Sequence, residues 1–127
     1  MFKPRGWLGL LVGITIAVIV AEVSLSRYQA MLLNSREATL NVNLTAMREA
    51  IQQHIKDKHR APQSLQDLVD AGYFRQLPID PITNSNASWR PVIEDVVISP
   101  GQTGRGITDL HSGSSLASSN GTTYNAW

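Results

Sequence analysis

"PRGWLGLLVGITIAVIVAEV", residues 4–23, decides how the rest of the chain is read. Trp7 to Ala21 is a run of 15 residues without a charge, closed by Glu22. As a helix it spans only about 22 Å at roughly 1.5 Å per residue, short of a hydrocarbon core of about 30 Å. Val23 and Leu25 extend the apolar character past Glu22, which brings a full span within reach. Three uses fit such a segment: a membrane anchor, a secretory signal released after Ala21, or the head of a longer structural helix. The signal reading has a defect, because bulky Ile19 stands where a small residue is expected before the cut.

The sequence downstream separates these readings. No Pro or Gly interrupts the chain from Ile14 to Ala61. Leu40, Leu44, Met47, Ile51 and Ile55 step by 4, 3, 4 and 4, the spacing of one buried stripe on an α-helix. Arg48, Glu49, Gln52, Gln53 and Lys56 fill the other faces. Lys56, Lys58, His59 and Arg60 favour a helix C-terminus, and Pro62 prevents continuation. The pattern predicts one helix with a membrane half at residues 7–25 and an amphipathic half at residues 26–61. A signal peptide has no need of such a continuation.

Composition bounds the remainder. The chain has 127 residues, which beyond a membrane segment leaves one small domain with a modest core. Lys plus Arg number 11 and Asp plus Glu 10, a balance that argues against nucleic acid as a partner. Taking Lys3 and Arg5 from the 11 leaves 9 basic against 10 acidic side chains, so positive charge concentrates ahead of the apolar run. That asymmetry holds a leader on the cytoplasmic side of a membrane. There is no cysteine, hence no disulfide framework and no thiolate chemistry.

With "KPRGW" (residues 3–7) at the head of such a helix, the chain resembles type IV pilin-like proteins, whose basic leader ends in glycine before an apolar helix. In that family a prepilin peptidase cuts after the glycine and methylates the new N-terminus. The resemblance implies a leader at residues 1–6 and a cut between Gly6 and Trp7. It extends through "REATLNVNLTAMREAIQQHIKDKHRAPQSLQDLVDAGYFRQLPIDPITNSNASW" (residues 36–89) and "GITDLHSGSSLASSNGTTYNAW" (residues 106–127), which look like G-type pseudopilins of type II secretion. Counting from Trp7, the fifth residue is Leu11, where the family usually carries a glutamate that pairs with a neighbouring subunit's amine. In the family, loss of that glutamate is associated with subunits that start or cap a filament. Gly9 and Gly13 instead form a small-xxx-small pair, which lets helix backbones approach closely in lipid. Glu22, at the far end of the apolar run, belongs at the membrane surface and does not replace the missing acid.

Residues 62–127 read as a globular head. "QSLQDLVDAG" predicts a short helix with Ser64 as N-cap, Asp67 three residues on and Gly72 just past its end. Leu65, Leu68 and Val69 are expected to face the long helix. Pro78 and Pro81 enforce a rigid loop around Asp80. Strand-like pieces follow at residues 88–93, 96–99 and 106–111, with Pro91 marking an edge or a break. "PGQTGRG" (residues 100–106) reads as a separator, being rich in turn formers. The expected fold is α+β and pilin-like: a long helix packed on a short helix and a small antiparallel sheet.

Catalytic groupings are weak. His54 and His59 lie about 140° apart around a helix of roughly 3.6 residues per turn, too far to share a metal. His111 is alone, and Ser112 beside it is no triad without a positioned acid and an oxyanion hole. Asp67 and Asp70 read as solvated, and no phosphate-binding loop is present. The sequons at Asn43, Asn86 and Asn120 carry no weight in a chain so rich in Asn, Ser and Thr. The resemblance implies calcium in the C-terminal loop, yet residues 112–127 contain no Asp or Glu. Calcium favours several hard, charged oxygens, so the expectation is no metal and no cofactor, with the loop closed by hydrogen bonds and by Tyr124 and Trp127.

The expected function is that of a non-enzymatic subunit of a helical pseudopilus or type IV pilus-like filament in protein secretion. Its implied partners are further copies of itself, other pilin-like subunits, an inner-membrane assembly platform and a prepilin peptidase. Its implied place is the bacterial inner membrane, with the head in the periplasm. The alternatives are an uncleaved or minor anchored subunit that primes or caps assembly, and an exported binding module.

Overall fold

The computed structural model describes residues 4–127. The chain divides into two compact units at the Ser35–Arg36 boundary. Helix α1 spans Pro4–Lys58. Pro4, Arg5 and Gly6 are already helical, so the helix does not begin at Trp7. Up to Ser35 the described chain is α1 alone, and from Arg5 to Ser35 every residue is exposed.

In the second unit, Leu40, Leu44, Met47 and Ile51 are essentially inaccessible, and Ile55 packs at the margin of the same core. The stripe read from the sequence is therefore the buried one. Leu68, Trp89, Ile107, Leu110 and Tyr124 complete the core. The helix stops at Lys58, three residues before the expected end at Ala61. His59 takes φ 52°, a left-handed conformation that a helix cannot propagate, while its N–H still bonds Ile55 O at 3.0 Å.

Helix α2 spans Gln66–Asp70, with Leu68 buried and Leu65 packed at the margin of the core. The expected Ser64 cap is absent. Asp67 reverses the roles: its Oδ2 accepts from the Gln63 N–H at 2.8 Å and the Ser64 N–H at 3.3 Å. A carboxylate from inside the first turn thus serves the donors ahead of it, and these bonds hold the Asp67 carboxyl below its usual range. Gly72 takes φ +88°, as the C-terminal role read from the sequence requires.

The three expected strand pieces are two strands, β1 at Arg90–Ser99 and β2 at Gln102–His111. They pair antiparallel from Arg90↔His111 to Ser99↔Gln102. Only Pro100 and Gly101 form the turn, so most of "PGQTGRG" is strand rather than separator. Proline presets one turn dihedral and Gly101, at φ +82°, supplies the positive one. Pro91 sits in β1, which among the described residues pairs with β2 alone. The outer edge of β2 is covered by the segment after α1: Ile107 N–H bonds Pro62 O at 2.8 Å, and Gln63 Nε2 bonds Arg105 O at 2.7 Å. A 3-10 turn, η1 at Tyr124–Ala126, completes the element order. The layout is α+β and pilin-like.

Candidate functional site

The first candidate is the exposed apolar surface of α1. Trp7 is 59 % exposed and Leu11 43 %, and the large apolar side chains between Leu8 and Leu25 are exposed with them. A side chain added at Gly6, Gly9 or Gly13 would meet nothing within 4 Å. The backbone here makes its own hydrogen bonds, and Thr15 Oγ1 donates to Leu11 O at 2.8 Å. From Trp7 up to Ala21 such a segment satisfies its backbone polar groups internally and presents an uncharged, largely hydrocarbon surface, which is what lipid demands of a helix. In water it would be a large uncovered apolar patch. The helix is long and apolar enough to cross a membrane. Arg5 lies at its described start; Lys3, the other leader charge, lies outside the described residues.

The second candidate is the network that fastens the C-terminal loop, in the Arg36–Trp127 unit. Glu37, 8 % exposed, sits on α1. Its Oε1 accepts from the Ser119 N–H at 2.7 Å and from Tyr124 Oη at 2.9 Å, and its Oε2 accepts from Ser119 Oγ at 2.6 Å. The Ser119 hydroxyl, then its N–H, hold the Glu37 carboxyl below its usual range against the opposing effect of burial. Burial pushes the Tyr124 hydroxyl up to about 12, and the bond to Glu37 adds to this. Tyr124 meets Trp127 edge-on, with ring centroids 5.3 Å apart. Inside the loop, Asn120 Oδ1 accepts from the Thr122 N–H and from the Ser118 and Thr122 hydroxyls. Hydrogen bonds and the two aromatic rings do close this loop, with a helix carboxylate that the loop's own sequence lacks.

Arg48, read from the sequence as a surface residue, ties the same region from one helix position. Its Nε donates to Asp109 Oδ1 at 2.7 Å, and its Nη2 donates to the main-chain oxygens of Leu110 and Trp127 at 3.0 and 2.9 Å. Burial raises the Asp109 carboxyl, but Arg48 and the Leu110 N–H outweigh it and leave the group below its usual range. His111 Nδ1 also bonds Trp127 O. Arg48, Asp109, His111 and Trp127 border an open depression with Glu94 and Thr108, which bond each other. Arg48, Glu94, Thr108, Asp109 and His111 each already bond a protein partner there.

The loop of Pro78, Asp80 and Pro81 is where the sequence placed it, and it is tied from several directions. Asp80 is fully buried. Its Oδ2 accepts from Ser112 Oγ at 2.5 Å and its Oδ1 from the Ile82 N–H at 2.8 Å. Trp89 Nε1 donates to Pro78 O and Asn43 Nδ2 to Ile79 O. Ser112 therefore has an acid beside it, while His111 points its Nδ1 at Trp127 O instead. This is a structural bond. Asp80→Ala is expected to cost about 3 kcal/mol, because the Ser112 hydroxyl and Ile82 N–H lose their acceptor out of water. Asp80→Asn, which keeps one oxygen, costs about 1 kcal/mol; urea denaturation of the two variants checks the order.

Among the described residues, no three His, Cys, Asp or Glu side chains converge as a metal cluster. His54 Nδ1 is paired with Arg60 O. The structure thus brings Asp80 together with Ser112, while Gly9, Leu11 and Gly13 stay on the open helix surface. Glu37 and Arg48, which the sequence reading did not single out, fasten the last loop. The class these features define is an α+β protein whose long helix is apolar enough to enter a membrane. No protein-family model matches the chain, and neither a curated protein nor a solved structure matches it.

Proposed function

We propose that the chain is a non-enzymatic structural subunit of a helical pseudopilus or type IV pilus-like filament. The apolar half of α1 enters the inner membrane with Lys3 and Arg5 in the cytoplasm and the head in the periplasm. A prepilin peptidase removes residues 1–6, and the subunits, with other pilin-like chains at an inner-membrane platform, stack helix against helix. Growth is driven by an ATPase elsewhere. The supporting observation is the wholly exposed apolar surface from Trp7 to Leu25 on a helix that also supplies the core stripe of a folded head. An anchor alone needs no such helical continuity.

A second reading keeps the anchor but not the cut: a minor subunit that primes or caps assembly. Leu11, apolar and exposed at the fifth position after Gly6, favours it, since no acid is there to pair with a neighbouring amine. A third reading, an exported module, places the cut after Ala21. Intact mass and N-terminal sequencing of the membrane-extracted protein separate the three. A methylated start at Trp7 supports the filament subunit, Met1 the uncleaved form and Glu22 the exported module. Under the first reading, Gly6→Leu abolishes the shorter product, and continued processing of that variant would falsify prepilin-type cleavage. Gly13→Leu, which adds bulk where nothing stands within 4 Å, blocks filament formation and leaves the head folded. Normal filaments in that variant remove the small-residue packing argument.

A further inference from the structure

Between Trp7 and Ser35 the chain carries one acid, Glu22, and one base, Arg27. Both lie on the exposed surface of α1, and neither has an ion-pair partner within the chain among the described residues. Five residues apart, they point about 140° away from each other around a helix of roughly 3.6 residues per turn. They cannot meet in one chain. On two parallel copies, by contrast, nearly opposite faces are the ones that confront each other in a head-to-tail contact.

We propose that α1 associates with α1 of a second copy in a parallel, heterologous contact staggered by five residues, about 7.5 Å, with Glu22 of one copy against Arg27 of the next. This rests on the filament reading and names its helix-to-helix register. Charge complementarity selects the occupant: a second copy of the same helix offers Glu22 a base and Arg27 an acid at one fixed height and on its opposite side, which mobile lipid headgroups do not. The pair lies toward the membrane surface, where removing both charges from water is less costly than at the bilayer centre.

The same stagger accounts for the shape of the two faces. Trp7 stands about 60° from Glu22, on the acid-bearing side. Gly9 is 18 residues from Arg27, five whole turns, and Gly13 lies about 40° from that line on the base-bearing side. Helical side chains lean toward the N-terminus by about one position. Shifted by five residues, the Trp7 indole therefore covers the level midway between Gly9 and Gly13 of the neighbour. A bulky ring meets the shallow groove. Because the two faces differ, each copy offers one to the copy ahead and the other to the copy behind, and the association does not close as a two-fold dimer.

The test is self-association of the full chain in lipid vesicles, read by energy transfer between labelled copies. Glu22→Arg sets two bases against each other and Arg27→Glu two acids, so each weakens association at least about tenfold. The double variant restores it. Glu22→Gln and Arg27→Gln, which remove charge without reversing it, weaken association, and combining them does not recover it. Since the chain has no cysteine of its own, Val18→Cys with Val23→Cys reports the register one turn away with the charges intact. Oxidation of that double variant is expected to give a ladder, and either single variant none. If the wild type associates but the double swap does not rescue, or Val18→Cys alone crosslinks as strongly as the pair, the stagger is overturned and the filament reading stands. A wild-type chain that stays monomeric overturns the helix-to-helix contact proposed here, while the filament reading is judged separately, by the start of the processed chain.

Discussion

Gly113→Ala is expected to cost the head at least about 3 kcal/mol, a large fraction of the 5–15 kcal/mol available to a small domain. A Cβ built there would lie 2.0 Å from Ser88 O and 2.9 Å from Ser88 C, and both are backbone atoms. Neither side is free to give way. Ser88 is bound through its hydroxyl to Thr83 and Ser85, and next to it Trp89 is anchored on Pro78 O. On the other side, Ser112 is fastened to buried Asp80. Gly104→Ala is the control, because its added Cβ would meet the tip of Ile98, Cδ1 at 2.8 Å, which can change rotamer. That variant costs under about 1 kcal/mol. Denaturant titration of the full chain in detergent, followed by tryptophan fluorescence, reads both. Equal midpoints for the two variants would refute the close approach at Ser88.

Glu37→Ala is expected to release the C-terminal loop. It strips the acceptor from the Ser119 N–H, the Ser119 hydroxyl and the Tyr124 hydroxyl together, at a cost of about 3 kcal/mol. Proteolysis within residues 113–123 should accelerate, and the Tyr124 hydroxyl should titrate below about 12 once the neighbouring carboxylate is gone. The pH dependence has a definite sign. The Glu37 carboxyl is held below its usual 4.5 in the folded chain, so its contribution to stability is complete above 4.5. It declines as pH falls through the lower, folded value. Asp67 and Asp109 are also depressed and act in the same direction. Acid should therefore loosen the head, and Glu37→Gln should flatten part of that dependence. An acid transition identical in Glu37→Gln and wild type would show that the carboxylate does not fasten the loop through its charge.

The buried stripe from Leu40 to Ile51 was legible because a helix repeats every 3.6 residues and the core needs only one of its faces. Gly72 was legible for a local reason as well, since a left-handed C-terminal residue favours glycine. The strands were harder. Gly104 read as a turn former, yet it is paired in β2, opposite Val96. Cross-strand pairing outweighed its weak strand propensity. The helix end was misplaced because Pro62 is a strong stop signal, whereas the actual stop at His59 rests on one residue's backbone angle.

The loop around Pro78, Asp80 and Pro81 was marked by its prolines, but not what it binds. Ser112 reaches Asp80 from 32 positions away, Arg48 reaches Asp109 from 61, and Ser119 reaches Glu37 from 82. In the sequence each of these is a polar residue on a helix, in a strand or in a loop, no different from its solvated neighbours. Asp67 shows the same ambiguity at short range: the expected cap and its expected partner exchanged roles.

By itself, then, the order of residues determined the apolar run, the long helix, the face of that helix that is buried and the turn at Gly72. Each depends on periodicity or on one residue's conformational preference, and both are local. Only the tertiary structure decided that two strands form instead of three pieces, that Glu37 and Arg48 fasten the last loop, and that Gly113 must lack a side chain. Those outcomes depend on which distant groups come within about 3 Å of each other, the reach of a hydrogen bond or a steric contact.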